Sequence, residues 1–269
     1  MKEDHISKLK KLKDNLQQMG SAAVAFSGGV DSTFLLNVAH EVLKDNVVAV
    51  TAISPIFSLR ENEEAKFFTK NIGVKHIIIE SEEIDNESFS KNPANRCYYC
   101  KKELFSKLKK VAETEKLDYV LDGSNVDDDD DYRPGIKALK ELGIVSPLKD
   151  VGLTKKEIRE LSQEMNLDTW DKPAFACLAS RFPYGTEITK SKLEMVERAE
   201  CFIQDFGVRQ FRVRYHNEIA RIEVSKNDFQ IILAHSDEIA KKFKEFGFNY
   251  ITLDIEGYRT GSLNEVFKK

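Results

Sequence analysis

A seven-residue stretch, Ser27-Gly28-Gly29-Val30-Asp31-Ser32-Thr33, sits between the apolar run 22–26 and the apolar-periodic run 34–39. Small residues before it, paired glycines within it and hydroxyls opening the next segment dictate a strand, a tight turn and a helix. Such a turn leaves several backbone N–H groups of the new helix without an intrahelical acceptor, which is where an anion docks. No lysine follows the glycines, so this is not the Gly-Lys-Ser/Thr loop of nucleoside triphosphatases. No third glycine follows either, which removes the dinucleotide pattern Gly-x-Gly-x-x-Gly.

The flanking sequence repeats the same alternation up to about residue 170. Apolar runs at 22–26, 47–53, 76–79 and 119–121 are separated by helical segments, one from Ser32, one from Glu61 and one over 101–116. That alternation marks a parallel sheet covered on both faces, a doubly wound α/β domain. Ligands in such sheets bind beyond the carboxyl ends of the strands. The glycine loop, Ser54-Pro55 and Gly123-Ser124-Asn125 all fall there. Thr154 with Glu157 three residues on is a capping box opening a further amphipathic helix over 153–167.

At 269 residues the chain has room for two domains, expected at 1–175 and 176–269. Residues 171–188 form an irregular bridge, and Ser191 with Glu194 is expected to cap a helix running to about Phe206. A smaller α/β domain follows: strands over 210–215 and 218–224 joined by a hairpin at His216-Asn217, a helix over 228–243 and a strand over 250–255. In the first of these strands, alternation puts Phe211, Val213 and Tyr215 on one face and Arg212 with Arg214 on the other, and the hairpin adds Arg221 and Glu223 to that polar face. Guanidinium groups present forks of donors suited to phosphate, and Arg181 and Arg259 are further candidates. The competing reading is a solvated sheet face whose arginine–carboxylate pairs contribute little.

With 41% hydrophobic and 32% charged residues and no apolar stretch near the length of a membrane span, the composition is that of a soluble protein. The lysine-rich segment 1–16 lacks the apolar centre of a secretory signal and reads as a cytoplasmic helix. A net charge of −4 argues against a general nucleic-acid sleeve. The four cysteines therefore point to metal or redox chemistry rather than a disulfide framework. Cys97-x-x-Cys100 fits a redox dithiol, half of a zinc site completed from Cys201, His76, His216 or His235, or an iron–sulfur site; Cys177 stands alone and Cys201 reads as a small core residue.

The glycine loop resembles the PP-loop, Ser-Gly-Gly-x-Asp-Ser, of adenine-nucleotide α-hydrolase-like enzymes that split ATP into AMP and pyrophosphate. Together with the stretches 122–135, 172–185 and 257–261, in that order, it looks like the LarE family, which inserts sulfur during synthesis of the nickel-pincer nucleotide cofactor of lactate racemase. The resemblance spans nearly the whole chain. It implies that ATP adenylylates a carboxylate of pyridinium-3,5-biscarboxylic acid mononucleotide, that pyrophosphate leaves, and that sulfur displaces AMP; two rounds give the bisthiocarboxylic acid.

ATP contacts are implied at Ala25, Phe26, Ser27, Gly28, Gly29, Asp31, Ser32, Ser54, Gly123 and Asn125, with Asp31 also catalytic. Magnesium would be held by Asp31 and carboxylates of the run 127–131, Asp128 and Asp131 among them. Substrate contacts fall on Ser180, Arg181, Arg212, Arg214, Glu223 and Arg259, in a second domain that also mediates homo-oligomer formation. For sulfur, one branch of the family sacrifices the cysteine corresponding to Cys177, which becomes dehydroalanine. The other holds [4Fe–4S] on three cysteines corresponding to Cys97, Cys100 and Cys177 and takes sulfide from an external donor. The presence of all three cysteines favours the cluster branch. A tRNA-thiolating PP-loop enzyme, an amide-forming synthetase and a non-catalytic sensor of AMP and an iron–sulfur cluster are the alternatives.

Overall fold

The computed structural model describes residues 2–130, 134–173 and 176–267; Asp131 lies outside them. Helix α1 (Lys2–Met19) leads into strand β1 (Ala22–Ala25), α2 (Val30–Leu43), β2 (Val47–Ile53), α3 (Leu59–Ile72) and β3 (Lys75–Glu80). The short α4 (Glu87–Ser90) precedes α5 (Arg96–Glu115), β4 (Tyr119–Leu121), α6 (Gly135–Leu142), α7 (Pro147–Asp150) and α8 (Lys155–Glu164). Then come α9 (Lys190–Asp205), β5 (Phe211–His216), β6 (Ile219–Val224), α10 (Phe229–Ala234), α11 (Ser236–Phe246) and β7 (Tyr250–Leu253). The chain divides into two compact units, one of residues 1–83 and 95–175, the other of residues 84–94 and 176–269. No helix among the described residues is long and apolar enough to cross a membrane.

The first unit is an α/β domain on a parallel sheet ordered β3-β2-β1-β4. Strand alternation divides its core in two. Ala22, Val24, Val47 and Ala49 face one side and pack with Phe34, Leu35, Ile158 and Leu161 of α2 and α8. Ala23, Val48, Val50 and Val120 face the other and pack with Phe105, Leu108 and Leu139 of α5 and α6. Because β1 lies between β2 and β4, the chain turns to opposite sides of the sheet after β1 and after β4. The glycine loop and the Gly123 loop therefore flank the switch point of the sheet.

The second unit holds a mixed sheet ordered β5-β6-β7, antiparallel in its first pair and parallel in its second. Pairing Arg212 with Glu223 and Arg214 with Arg221 puts these four on one face, as the alternation requires. Several boundaries depart from the sequence reading. Helix α5 begins at Arg96 and so carries the Cys97-x-x-Cys100 pair in its first turn. Thr189, not Ser191, caps α9, its hydroxyl accepting from the Lys192 amide at 3.3 Å. The expected helix over 228–243 is two helices broken at His235, and β7 ends at Leu253, where a turn closing at Gly257 begins. Cys201 is exposed on α9 rather than in the core.

One close approach ties the two loops together. A Cβ added at Gly123 would lie 3.1 Å from the Ser32 amide nitrogen and 3.3 Å from its Cα, backbone atoms of the first turn of α2. Gly123→Ala is therefore expected to destabilise the protein by about 1–3 kcal/mol through overpacking and to weaken ATP binding. Urea unfolding and nucleotide titration read the two effects.

Candidate functional site

In the first unit the site is built around the start of α2. Gly28 has φ +68°, a left-handed conformation that L side chains rarely adopt, so glycine is needed there. Among the described residues no side chain caps α2, whereas Thr154 caps α8 with a full capping box. Instead Ser32 turns its hydroxyl back into the loop: it accepts from the Ser27 amide at 3.3 Å, lies 3.1 Å from the Ser27 hydroxyl and donates to the Gly29 carbonyl at 3.2 Å. The loop is braced from beneath by Thr51, which donates to the Phe26 carbonyl at 2.8 Å, and by the Phe26 amide bonded to Val50. Such a bare, braced helix end suits a phosphate chain.

Asp31 stands in that first turn. Its Oδ2 accepts from Lys155 Nζ at 2.5 Å, while Oδ1 is buried without a hydrogen-bond partner among the described residues. Burial pushes the Asp31 carboxyl up from the usual range, Lys155 opposes the shift and Asp128 adds to it. A buried carboxylate oxygen with no donor is a fitting ligand for Mg²⁺, which takes one or two protein carboxylates and completes its shell from phosphate and water. Asp128 fits less well, because its Oδ2 accepts the Asn125 amide at 3.0 Å. Asn125 is buried and its Oδ1 accepts from the Asp127 amide at 2.9 Å, so it shapes the loop after β4. Ser54 is likewise committed, its hydroxyl bonded to the buried Glu83 and accepting from the Ile56 amide at 3.2 Å.

Two lysines join this site that the sequence reading passed over. Lys155 is the first residue of α8, and Lys172 donates to the Gly28 carbonyl at 3.0 Å and to Glu64 at 2.7 Å. A signal existed for the first: Lys155-Lys156 places two cations at a helix N-terminus, where the dipole disfavours them.

In the second unit the arginine face is buried, not solvated. Arg181, Arg212, Arg214 and Glu223 are each at most 5% exposed. Arg214 is fully engaged: Nε and Nη2 bond Glu223 Oε2 at 3.0 and 2.8 Å, Nη1 bonds the Ser180 carbonyl at 3.0 Å, and Nη2 also reaches Ser262 Oγ at 3.0 Å. Arg181 makes a fork with Glu200, both contacts at 2.8 Å, and its Nη1 reaches the Cys177 carbonyl at 3.1 Å and the Ser180 hydroxyl at 3.0 Å. The half-buried Cys177 is thus held through its own peptide at the head of the turn Leu178–Arg181. Arg212 lies over the Tyr258 ring, 5.3 Å from its centroid. Burial, with Arg181 close by, pulls its guanidinium down to about 10. An anion would reverse that. Arg259 stands apart from this row, among Asp254, Glu256 and Glu265.

The cysteines divide between the units. Cys97 and Cys100 are three residues apart on α5 in the first; Cys177 and Cys201 are in the second. Among the described residues neither unit by itself gathers three His, Cys, Asp or Glu side chains able to hold a metal. His76, a candidate zinc ligand, sits between Thr51 Oγ1 at 2.7 Å and Thr69 Oγ1 at 3.0 Å, and His235 packs on Phe206.

Residues 1–95 match the family model of a PP-loop domain. The chain is 45% identical to an uncharacterized protein of Synechocystis, covering 98% of this chain and 99% of that one. It is 36% identical to the pyridinium-3,5-bisthiocarboxylic acid mononucleotide synthase of Lactiplantibacillus plantarum, covering 94% and 92%. Identity to a chain of the glutamine-hydrolysing GMP synthase of Thermoplasma volcanium is 28%, over 75% of this chain and 68% of that one.

Arg214→Met takes from the buried Glu223 one of its two arginine partners, with Arg221 remaining on Oε1 at 2.8 Å. A loss of about 1.5–3 kcal/mol is expected, the worth of hydrogen bonds to a charged group. Calorimetric melting of the variant checks this.

Proposed function

The chain belongs to the PP-loop ATP pyrophosphatase family, and on that footing we propose that it converts pyridinium-3,5-biscarboxylic acid mononucleotide to the bisthiocarboxylic acid mononucleotide. It is a LarE-like sulfurtransferase. The observation that carries the substrate assignment is the extent of the similarity to the Lactiplantibacillus synthase: 94% of the chain, through Cys177 and the arginine row, well past the PP-loop domain match at 1–95.

A carboxylate is a poor electrophile, and its mixed anhydride with AMP is a good one. In the proposed first half-reaction, the phosphate chain of ATP lies against the N–H groups opening α2, and Asp31 Oδ1 takes Mg²⁺. A substrate carboxylate oxygen bonds to the α-phosphorus as the bond to the β-phosphate oxygen breaks, and the electron pair leaves with pyrophosphate. Oriented N–H groups stabilise that growing charge without reorganising. In the second half-reaction sulfur attacks the acyl carbon and AMP departs. Arg212 is the proposed phosphate ligand for the mononucleotide, helped by the Ser180 hydroxyl; Arg214, Glu223 and Arg181 position them.

Sulfur handling is proposed at Cys177, on the cluster branch of the family. Cys97 and Cys100, on one turn of α5, suit two thiolate ligands of a [4Fe–4S] cluster, with Cys177 the third. Such a cluster would supply an iron open to sulfide from an external donor.

Asp31→Ala should reduce formation of AMP and pyrophosphate to background while leaving the iron content of the reconstituted protein unchanged; undiminished ATP cleavage would remove the assignment. Intact mass spectrometry after turnover with ATP, Mg²⁺, sulfide and the pyridinium substrate should find Cys177 unaltered. Loss of one sulfur and two hydrogens from it would establish sacrificial donation instead.

A further inference from the structure

His76 has no assigned task, yet its ring is tied at both nitrogens. It stands on β3, the edge strand of the parallel sheet, opposite Ala49 of β2. Nδ1 lies 3.0 Å from Thr69 Oγ1 of α3 and Nε2 lies 2.7 Å from Thr51 Oγ1 of β2, and both threonines are buried. Thr51 donates in turn to the Phe26 carbonyl at 2.8 Å, one residue past the end of β1. A trans peptide unit is planar and its carbonyl and N–H point opposite ways, so whatever fixes the Phe26 carbonyl also fixes the Ser27 amide. That amide donates to Ser32 Oγ at 3.3 Å, and Ser32 donates to the Gly29 carbonyl at 3.2 Å. A chain of hydrogen bonds thus runs from the edge of the sheet to the first turn of α2. The other side of the ring also leads to the loop: Thr69 donates to the Ala65 carbonyl at 3.0 Å, and a Cβ added at Gly28 would lie 3.5 Å from Ala65 Cβ. Phe26 itself packs edge-on against the imidazole, the ring centroids 6.2 Å apart.

A hydroxyl carries one proton, and that decides where the ring carries its own. Thr51 gives its proton to the Phe26 carbonyl, so towards Nε2 its oxygen can only accept. Were Nε2 bare, Thr51 would have to turn to it and the Phe26 carbonyl would lose this donor. Thr69 is under no such constraint: the Ala65 and Lys66 carbonyls it reaches are served by the ladder of α3, and its proton is free to meet a bare Nδ1. Burial, with Lys66 close by, pulls the imidazole down from its ordinary value and favours the neutral ring. We propose that His76 is a positioning residue of the activation step, held as the Nε2–H tautomer, whose donation to Thr51 gives the chain through Phe26, Ser27 and Ser32 a single direction. Hydrogen bonds in series polarise one another, so the ring on the sheet edge helps to set the angle at which the N–H groups of the loop meet the phosphate chain. No bond to the ring forms or breaks. The inference rests on the adenylylation reading above.

The test uses the full chain with ¹⁵N-labelled histidine, as wild type, His76→Gln, His76→Leu, Thr51→Val and the double variant His76→Leu with Thr51→Val. Near neutral pH, the pair of ring-nitrogen signals that His76→Gln removes should show Nε2 protonated and Nδ1 bare; any other pattern overturns the proposal. Turnover measures AMP formed with the pyridinium acceptor, and calorimetry measures Mg²⁺·ATP binding without it. His76→Leu and Thr51→Val should each lose about tenfold in kcat, the worth of one hydrogen bond, yet bind ATP within about threefold of wild type, because the angle of the N–H groups matters most where charge grows. The double variant should lose no more than either single one, since both cut the same chain. His76→Gln, whose amide can still donate to Thr51, should recover most of the loss and supplies the comparison should the leucine variant fold poorly. Wild-type kcat in Thr51→Val, losses that multiply in the double variant, or equal losses in ATP binding and kcat overturn the proposal. A wild type that makes no AMP with the acceptor defeats the adenylylation reading instead, and the nitrogen spectrum still decides the tautomer.

Discussion

The first unit depends on one helix end being left bare. Among the described residues no side chain caps α2, and its opening turn is held instead by Ser32 bonding back to Ser27 and Gly29 and by Gly123 closing to within a methyl's breadth of the Ser32 backbone. A helix of this length leaves its first N–H groups without intrahelical acceptors, and a cap would satisfy some of them at the expense of the anion site. The parallel sheet supplies the rigidity: β1 is central, Thr51 of β2 braces the Phe26 carbonyl, and cores on both faces lock the strand in place. Both glycine positions follow from that geometry, Gly28 from its backbone angle and Gly123 from the distance.

The second unit solves a different problem, holding several charges inside a small domain. Two buried carboxylates organise it. Glu200 of α9 binds the Arg181 fork and the Val213 amide, and Glu223 of β6 binds Arg214, Arg221 and Ser262. Removing two charges from water is expensive, and pairs of this kind contribute orientation more than net stability. What they orient is specific: Arg181 grips the peptide of Cys177, and Arg214 grips that of Ser180. Arg212, in the same row, is drawn down by burial and by its neighbour Arg181.

Periodicity made much of this legible. The apolar runs around 22–26, 47–53, 76–79 and 119–121 mark the four parallel strands, and the alternation in 211–215 sets which side chains share a face. Period two says nothing of what lies over a face, however, so the sequence could not distinguish a solvated arginine row from a buried one. The partners that meet the row come from other elements, Glu200 from α9 and Ser262 from near the C-terminus. Thr189 outcompeted Ser191 as a cap because its hydroxyl reaches the Lys192 amide, while Ser191 bonds Thr189 instead. The pairing of Lys155 with Asp31, 124 residues away, was hidden from the sequence, the two cations opening α8 being the only local sign of it. The PP-loop motif, local and chemically distinctive, needed no such contact.

The central claim is that ATP activates a carboxylate of the substrate, and oxygen labelling tests it directly. Substrate carrying ¹⁸O in its carboxylates, turned over with unlabelled ATP and a sulfur source, should deliver one labelled oxygen to each AMP formed, with none in pyrophosphate. AMP free of label, with pyrophosphate or inorganic phosphate carrying it or no label transferred at all, would contradict the account.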